Sequence, residues 1–294
     1  MLTIIDSSDI FDRQRTVENN MDCVISPDDL DRLPQTAPMV TNSNSATINA
    51  HDIAIITGSE AARTALFAKM IAATMLCGGN YPFAEGMKTH ISSARVLWID
   101  AINSIYDTAQ LAQDMKRHFN ANGKNFKIAA LTALGSDQVY YKNVKEVINT
   151  TINDHNPNLI IINDLDNLFP NVTMGGAYGF VNYLRNFVAT RNAAVCAIGH
   201  NLIGKVKKTT GFVGEILYPL ATIVYRVSER SKKECAITRV SCYKTFRQCP
   251  RDFAFTINDA NFPQQVDLPS NTHPDTNEHI TDNSCITSAL PSTP

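Results

Sequence analysis

The chain lacks several features that would each settle a class of function. No apolar run approaches the ~20 residues that a membrane span requires, so no membrane partner is expected. The start, Met1-Leu2-Thr3-Ile4-Ile5-Asp6, has neither the basic opening nor the long apolar stretch of a secretory signal, and a cytoplasmic protein is expected. None of the seven cysteines stands in C-x-x-C spacing, which speaks for reduced thiols rather than a disulfide framework. Cys235, Cys242 and Cys249 recur every seven residues, but two of them sit in strand-like runs and no pair has close ligand spacing, so no metal is expected there. No internal repeat is visible. Lysine and arginine are absent beyond residue 262, where Asp267, Asp275, Glu278 and Asp282 carry the charge.

What is present is a chain of 294 residues, 44% hydrophobic, which is enough for a sizeable core in one large or two small domains. The net charge of −2 conceals an asymmetry. Residues 1–50 hold eight acids against Arg13, Arg15 and Arg32. By contrast Lys205, Lys207, Lys208, Arg226, Arg230, Lys232, Lys233, Arg239, Lys244, Arg247 and Arg251 face only Glu215, Glu229 and Glu234. A basic stretch beside acidic ends fits a polyanion partner, DNA among them, and equally fits a solvated surface.

In chain order, residues 1–45 are polar, acidic and interrupted by Pro27, Pro34 and Pro38, which reads as a loosely ordered arm ending in a linker at Thr41–Ser45. Residues 46–262 form the expected α/β core. Its strands are expected near 50–57, 94–100, 126–131, 159–162 and 193–200, alternating with helices near 64–76, 104–120, 139–155 and 178–190. That alternation predicts right-handed β-α-β units and a mostly parallel sheet with helices on both faces. After His200 the strand-like runs 221–227, 235–243 and 253–257 have no helix between them, so antiparallel strands are expected to extend the sheet. From Pro263 to Pro294 a flexible acidic tail is expected.

The stretch Ile53 to Phe67 organises the rest: a short apolar strand, a tight turn at Gly58, then a helix. Strand, loop and helix in that order are the frame in which backbone N–H groups and a helix N-terminus cradle phosphate. Laid from Gly58, however, the pattern G-x-x-x-x-G-K-S/T runs through Ser59, Glu60, Ala61 and Ala62, and then meets Arg63 at the second glycine, Thr64 at the lysine and Ala65 at the magnesium-binding hydroxyl. Thr64 forfeits a charge-assisted bond of ~1.5–3 kcal/mol, and Ala65 cannot ligate a hard cation.

The order of motifs resembles the RecA-like P-loop ATPases, in particular the RepA-type helicases and related AAA ATPases of bacterial plasmids and mobile elements. The resemblance runs from about Ala50 to Phe262. It rests on the Gly58 turn, Trp98-Ile99-Asp100-Ala101, Leu159-Ile160-Ile161-Ile162-Asn163-Asp164, Ile198-Gly199-His200-Asn201, and Lys244 with Arg247 before Phe253-Ala254-Phe255. It implies a RecA-like fold, ATP and Mg2+ as cofactors, and self-association or assembly with a related ATPase. It also places Ile102 where a water-activating glutamate would stand, Asn163 where a magnesium-orienting aspartate would stand, and His200 where a γ-phosphate-sensing glutamine would stand. Asp164 and Asp166 are candidate substitutes for metal or phosphate contact. Lys244 and Arg247, spaced one residue wider than K-x-R, are a candidate basic pair for a neighbouring subunit's site.

Three readings follow. In the first the chain is a pseudo-ATPase, its catalytic positions replaced together, with ATP and Mg2+ binding weakened. It then acts by binding in replication, mobilisation or maintenance of a mobile element, with Lys205, Lys207, Lys208, Arg230, Lys232 and Lys233 as candidate DNA contacts. In the second it is an active but deviant DNA-dependent ATPase of helicase type, with Arg63 or Lys69 replacing the lysine. In the third it is a protein-interaction module that binds neither nucleotide nor DNA.

Overall fold

A computed structural model describes residues 36–58, 63–134, 140–170, 172–200, 211–232 and 235–268. Continuous apolar runs supply the centre. Strands β3 (Ile53–Gly58), β5 (Val96–Asp100), β6 (Phe126–Ala130), β7 (Leu159–Asn163) and β8 (Ala194–His200) are all parallel. They follow the expected order along the chain, and burial on both faces explains why the sequences of β3, β5, β7 and β8 barely alternate, while β6 at the sheet edge is only partly buried.

Two helices cover one face. Helix α1 (Thr64–Cys77) presents Phe67, Met70, Ile71 and Met75, and α2 (Ile105–Phe119) presents Met115 and Phe119. Ser104 caps α2 by accepting from the Asp107 N–H, and Asn120 closes it in the left-handed region, the ends the sequence predicts. Phe67 is fully buried and meets Tyr225 and Phe253 edge-on at 5.2 and 5.6 Å, a contact worth ~2–3 kcal/mol in area alone. On the other face lie α3 (Tyr140–His155), the single turn α4 (Leu165–Leu168), α5 (Met174–Thr190) and α6 (Gly211–Leu220).

Helix α6 corrects the expectation that antiparallel strands begin directly after β8. It leads into β9 (Ile223–Lys232), which pairs parallel to β3, so one more β-α-β unit completes the sheet. Gly211, Gly214 and Pro219 dilute its helical signal. Only then do β10 (Cys235–Thr245), β11 (Phe253–Ile257) and β12 (Pro263–Val266) add antiparallel strands, giving the order β12-β11-β10-β9-β3-β8-β7-β5-β6.

Two further differences lie at the ends. The polar run Thr41–Ser45 is a hairpin turn rather than a linker: Ser43 and Asn44 both take positive φ, 47° and 68°, and join β1 (Pro38–Asn42) to β2 (Ser45–Asn49). With β4 (Met87–Thr89) these strands form a small sheet whose Met39, Val40 and Ile48 enter the core. At the other end Pro263–Val266 is strand rather than tail, held by pairing to β11 and by the Tyr81 hydroxyl donating to the Pro263 carbonyl at 2.9 Å. No helix among the described residues is long and apolar enough to cross a membrane.

Candidate functional site

The parallel strands bring their C-terminal ends to one edge, where ligands of open α/β sheets bind. Gly58 there pairs with His200 on one side and Val227 on the other. Ser59, Glu60, Ala61 and Ala62 lie outside the described residues, as does the side chain of His200. The chain resumes at Arg63 in the left-handed region, φ 50° and ψ 32°, and its carbonyl accepts from the Leu66 N–H at 3.0 Å to open α1. The second-glycine position therefore takes a backbone conformation that suits glycine, although arginine fills it. Thr64 follows, buried in the first turn, with Ala65 half-buried behind it. Neither supplies a cation, and Ala65 supplies no metal ligand.

Lys69 does not come to the loop. Its ammonium donates to the Asn261 carbonyl at 3.1 Å, lies 3.5 Å from Asp114 and 3.8 Å above the Phe262 ring, and so ties α1 to α2 and to the β11–β12 turn. Burial lowers its pKa against the opposing pull of Asp114.

The ends of β5 and β7 carry the polar centre of the site. Register places Asp100 opposite Asn163. Asp100 is fully buried and accepts five hydrogen bonds: from Trp98 Nε1 (3.1 Å), the N–H groups of Ile102 (3.2 Å) and Asn103 (2.9 Å), Asn103 Nδ2 (2.8 Å) and Asn163 Nδ2 (3.2 Å). Its oxygens are thus occupied by protein donors. Asn163 must be an amide in this arrangement, because it donates to the carboxylate that an aspartate there would repel.

The remaining candidates stand as follows. The side chain of Ile102 is half exposed at the general-base position and holds no proton acceptor. Asp164, buried and at φ 77°, accepts from the N–H of Asn167 at 3.2 Å and from its Nδ2 at 2.7 Å, which fixes the start of α4. Asp166 lies within α4 and its side chain is outside the described set. Among the described residues no group of three or more His, Cys, Asp or Glu could hold a metal ion. Among the described residues, Ala65 and Asn163 at the hydroxyl and aspartate positions offer Mg2+ no hydroxyl and no carboxylate.

Lys244 and Arg247 stand at the opposite edge of the sheet, where Thr245 pairs with Ile223 at the start of β9. The Arg247 guanidinium binds the buried carboxylate of Asp52, which also accepts from the Asn49 N–H at 2.8 Å and the Thr222 hydroxyl at 2.9 Å. Lys244 donates to the carbonyls of Tyr218 (3.4 Å) and Pro219 (3.1 Å) at the end of α6. Within one chain, therefore, this pair does not meet the Gly58 loop. Arg230 and Lys232 lie in β9 opposite Ile237 and Cys235, with side chains outside the description, and Lys205, Lys207, Lys208 and Lys233 fall outside it altogether.

Sequence reasoning missed Asp52, the partner of Arg247, because nothing local marks an aspartate before a strand as the anchor of an arginine far along the chain. It also missed the donors around Asp100. Trp98, two residues earlier on the same strand face, was the one legible signal.

No protein-family model matches the chain, and no curated protein is similar to it in sequence. Among solved structures it resembles that of a KaiC-like protein from the hyperthermophilic archaeon Pyrococcus horikoshii OT3, with a TM-score of 0.54 and 9% identity over 79% of this chain and 99% of that one. At that identity the likeness concerns the fold alone: a RecA-like α/β arrangement with a mostly parallel sheet, helices on both faces and antiparallel strands added at the C-terminal side.

Proposed function

We propose that this chain is a RecA-like protein that keeps the fold and has lost phosphoryl-transfer chemistry. In this reading it acts by binding DNA in the replication, mobilisation or maintenance of a bacterial mobile element, alone in self-assembly or beside an active relative. The observation that carries the loss of chemistry is the closed network of Asp100: the two strand ends that would orient water and metal instead satisfy each other, beside an exposed Ile102. With Thr64 in place of a lysine and Ile102 in place of a glutamate, two groups that lower a phosphoryl-transfer barrier, a cation and a proton acceptor, are replaced at those positions.

One observation favours a role for nucleotide short of hydrolysis. Arg63 keeps a glycine-like backbone at the N-terminus of a 14-residue helix, where a phosphate gains from free N–H groups. A thermal-shift titration separates the readings. ATP with Mg2+ is expected to raise the melting temperature no more than ATP alone, since Ala65 and Asn163 stand where a hydroxyl and a carboxylate would hold the metal. A larger rise with Mg2+, or ATP hydrolysis faster than that of a loop-deletion control, would favour the active but deviant ATPase instead.

A further inference from the structure

The sheet edge remote from Gly58 carries exposed aromatic rings that the fold does not use. Phe246 is 66% exposed and Tyr243 48%. Tyr243 is the extra residue of a β-bulge, since Cys242 pairs with Tyr225 and Lys244 with the very next residue back, Val224. Bulges re-aim side chains, and this one turns Tyr243 out of the ladder at the end of β10. Lys244, next to Tyr243 in the chain, holds its ammonium 5.0 Å from the Phe246 ring centroid and 5.6 Å from that of Tyr218, anchored on the last carbonyls of α6. The lysine fixes where the Phe246 ring stands while two thirds of the residue remains open to solvent.

The same face of the β9–β10 ribbon continues as a row of cations. Lys244 pairs with Val224, Arg226 with Ser241 and Arg239 with Ser228, so their side chains share a face at intervals of roughly 7 Å along the ribbon; its Val224 end is buried under α6 and Arg226 beyond it is exposed. The opposite face, with Tyr225, Val227 and Val240, is buried in the core. Asp252 neutralises Arg239 at 2.6 Å, and Glu215 is exposed on α6, which leaves Arg226 and Lys244 together with exposed Arg251 as the positive excess among the described side chains.

We propose that Tyr243 and Phe246, with Lys244 and Arg226, form a stacking platform for single-stranded nucleic acid. This rests on the nucleic-acid part of the function proposed above and gives it a place and a strandedness. Flat rings standing free beside cations match a polyanion whose bases are unpaired: the rings take successive bases and the cations follow the backbone. A duplex hides its base faces, and exposed rings would gain no stacking from it.

The test is fluorescence anisotropy of the full chain with labelled oligothymidylate and with a duplex of equal length, across a salt series. The chain is expected to prefer the single strand. The double variant Tyr243→Ala/Phe246→Ala should weaken that binding by about tenfold or more, Phe246→Trp should retain it, and Arg226→Ala should flatten its salt dependence. These positions are exposed, and an unchanged melting temperature checks that the variants fold. Undiminished binding by the double variant, or equal or tighter binding of duplex, overturns the platform and leaves the wider DNA reading standing. Binding of neither strand form overturns both.

Discussion

Asn163 shows how much one side chain depends on its neighbour across a strand pair. Its amide nitrogen is one of the five donors to a carboxylate that has no contact with solvent. Asn163→Asp would set two carboxylates against each other there, so one must take up a proton or move. The expected cost is ~2–4 kcal/mol, read as a lower urea midpoint at neutral pH with an unchanged slope. Adding Asp100→Asn to the same chain restores one carboxylate and one amide across the pair and should recover a large part of the loss. A purely volumetric role for Asn163 predicts no such rescue. The change that formally restores a metal-orienting aspartate should therefore weaken the fold without creating hydrolysis.

Among the elements, the β1–β2 hairpin depends on a residue far from it in sequence. The Ser43 N–H donates to the Gly86 carbonyl at 3.0 Å, and Gly86 itself has φ 83°. A Cβ at that position would lie 2.9 Å from Ser43 Oγ and 3.1 Å from Ser43 N, the second of which is backbone and cannot swing away. Gly86→Ala is therefore expected to cost ~1–3 kcal/mol through both the left-handed φ and the clash, measurable as a fall in melting temperature. Such dependence explains what the sequence could and could not tell. Leu159–Ile162 and Val96–Ile99 are apolar without interruption, and Ser104 and Asn120 mark the ends of α2, so the central strands and that helix were legible. The hairpin was not, because Ser43 and Asn44 look the same in a linker as in a tight turn until the partner strand is known. Helix α6 was hidden by its glycines and its proline. At the site, the replaced positions were legible by counting, whereas the coupling of Asp100 to Asn163 exists only in strand register.

For the whole molecule, stability should depend on pH through His155. This histidine ends α3, is buried against β5, and its Nε2 lies 3.1 Å from the Val96 carbonyl, to which the Nε2–H tautomer donates. Burial, followed by the charges of Lys127 and Arg95, lowers its pKa below the ordinary 6.5 despite the opposing hydrogen bond. A depressed pKa means that the folded state prefers the neutral ring. The unfolded chain takes up the proton first, so this contribution is complete above about pH 6.5 and is lost as the pH falls below it. Denaturant midpoints should decline across that range, and His155→Gln should flatten the decline; an equal decline in the variant would assign it to other groups. The strand order carries a consequence of a different kind, for time rather than equilibrium. β3 lies at the middle of the sheet, yet both strands that flank it, β8 and β9, come from the far half of the chain. As the ribosome releases the polypeptide at ~5–20 residues per second, the central strand and the apolar helix after it wait for seconds without their neighbours. Closing so wide a loop precedes any reward from pairing, which makes this a slow folder by topology and leaves Ile53–Thr57 the segment most in need of shielding while the chain is being made.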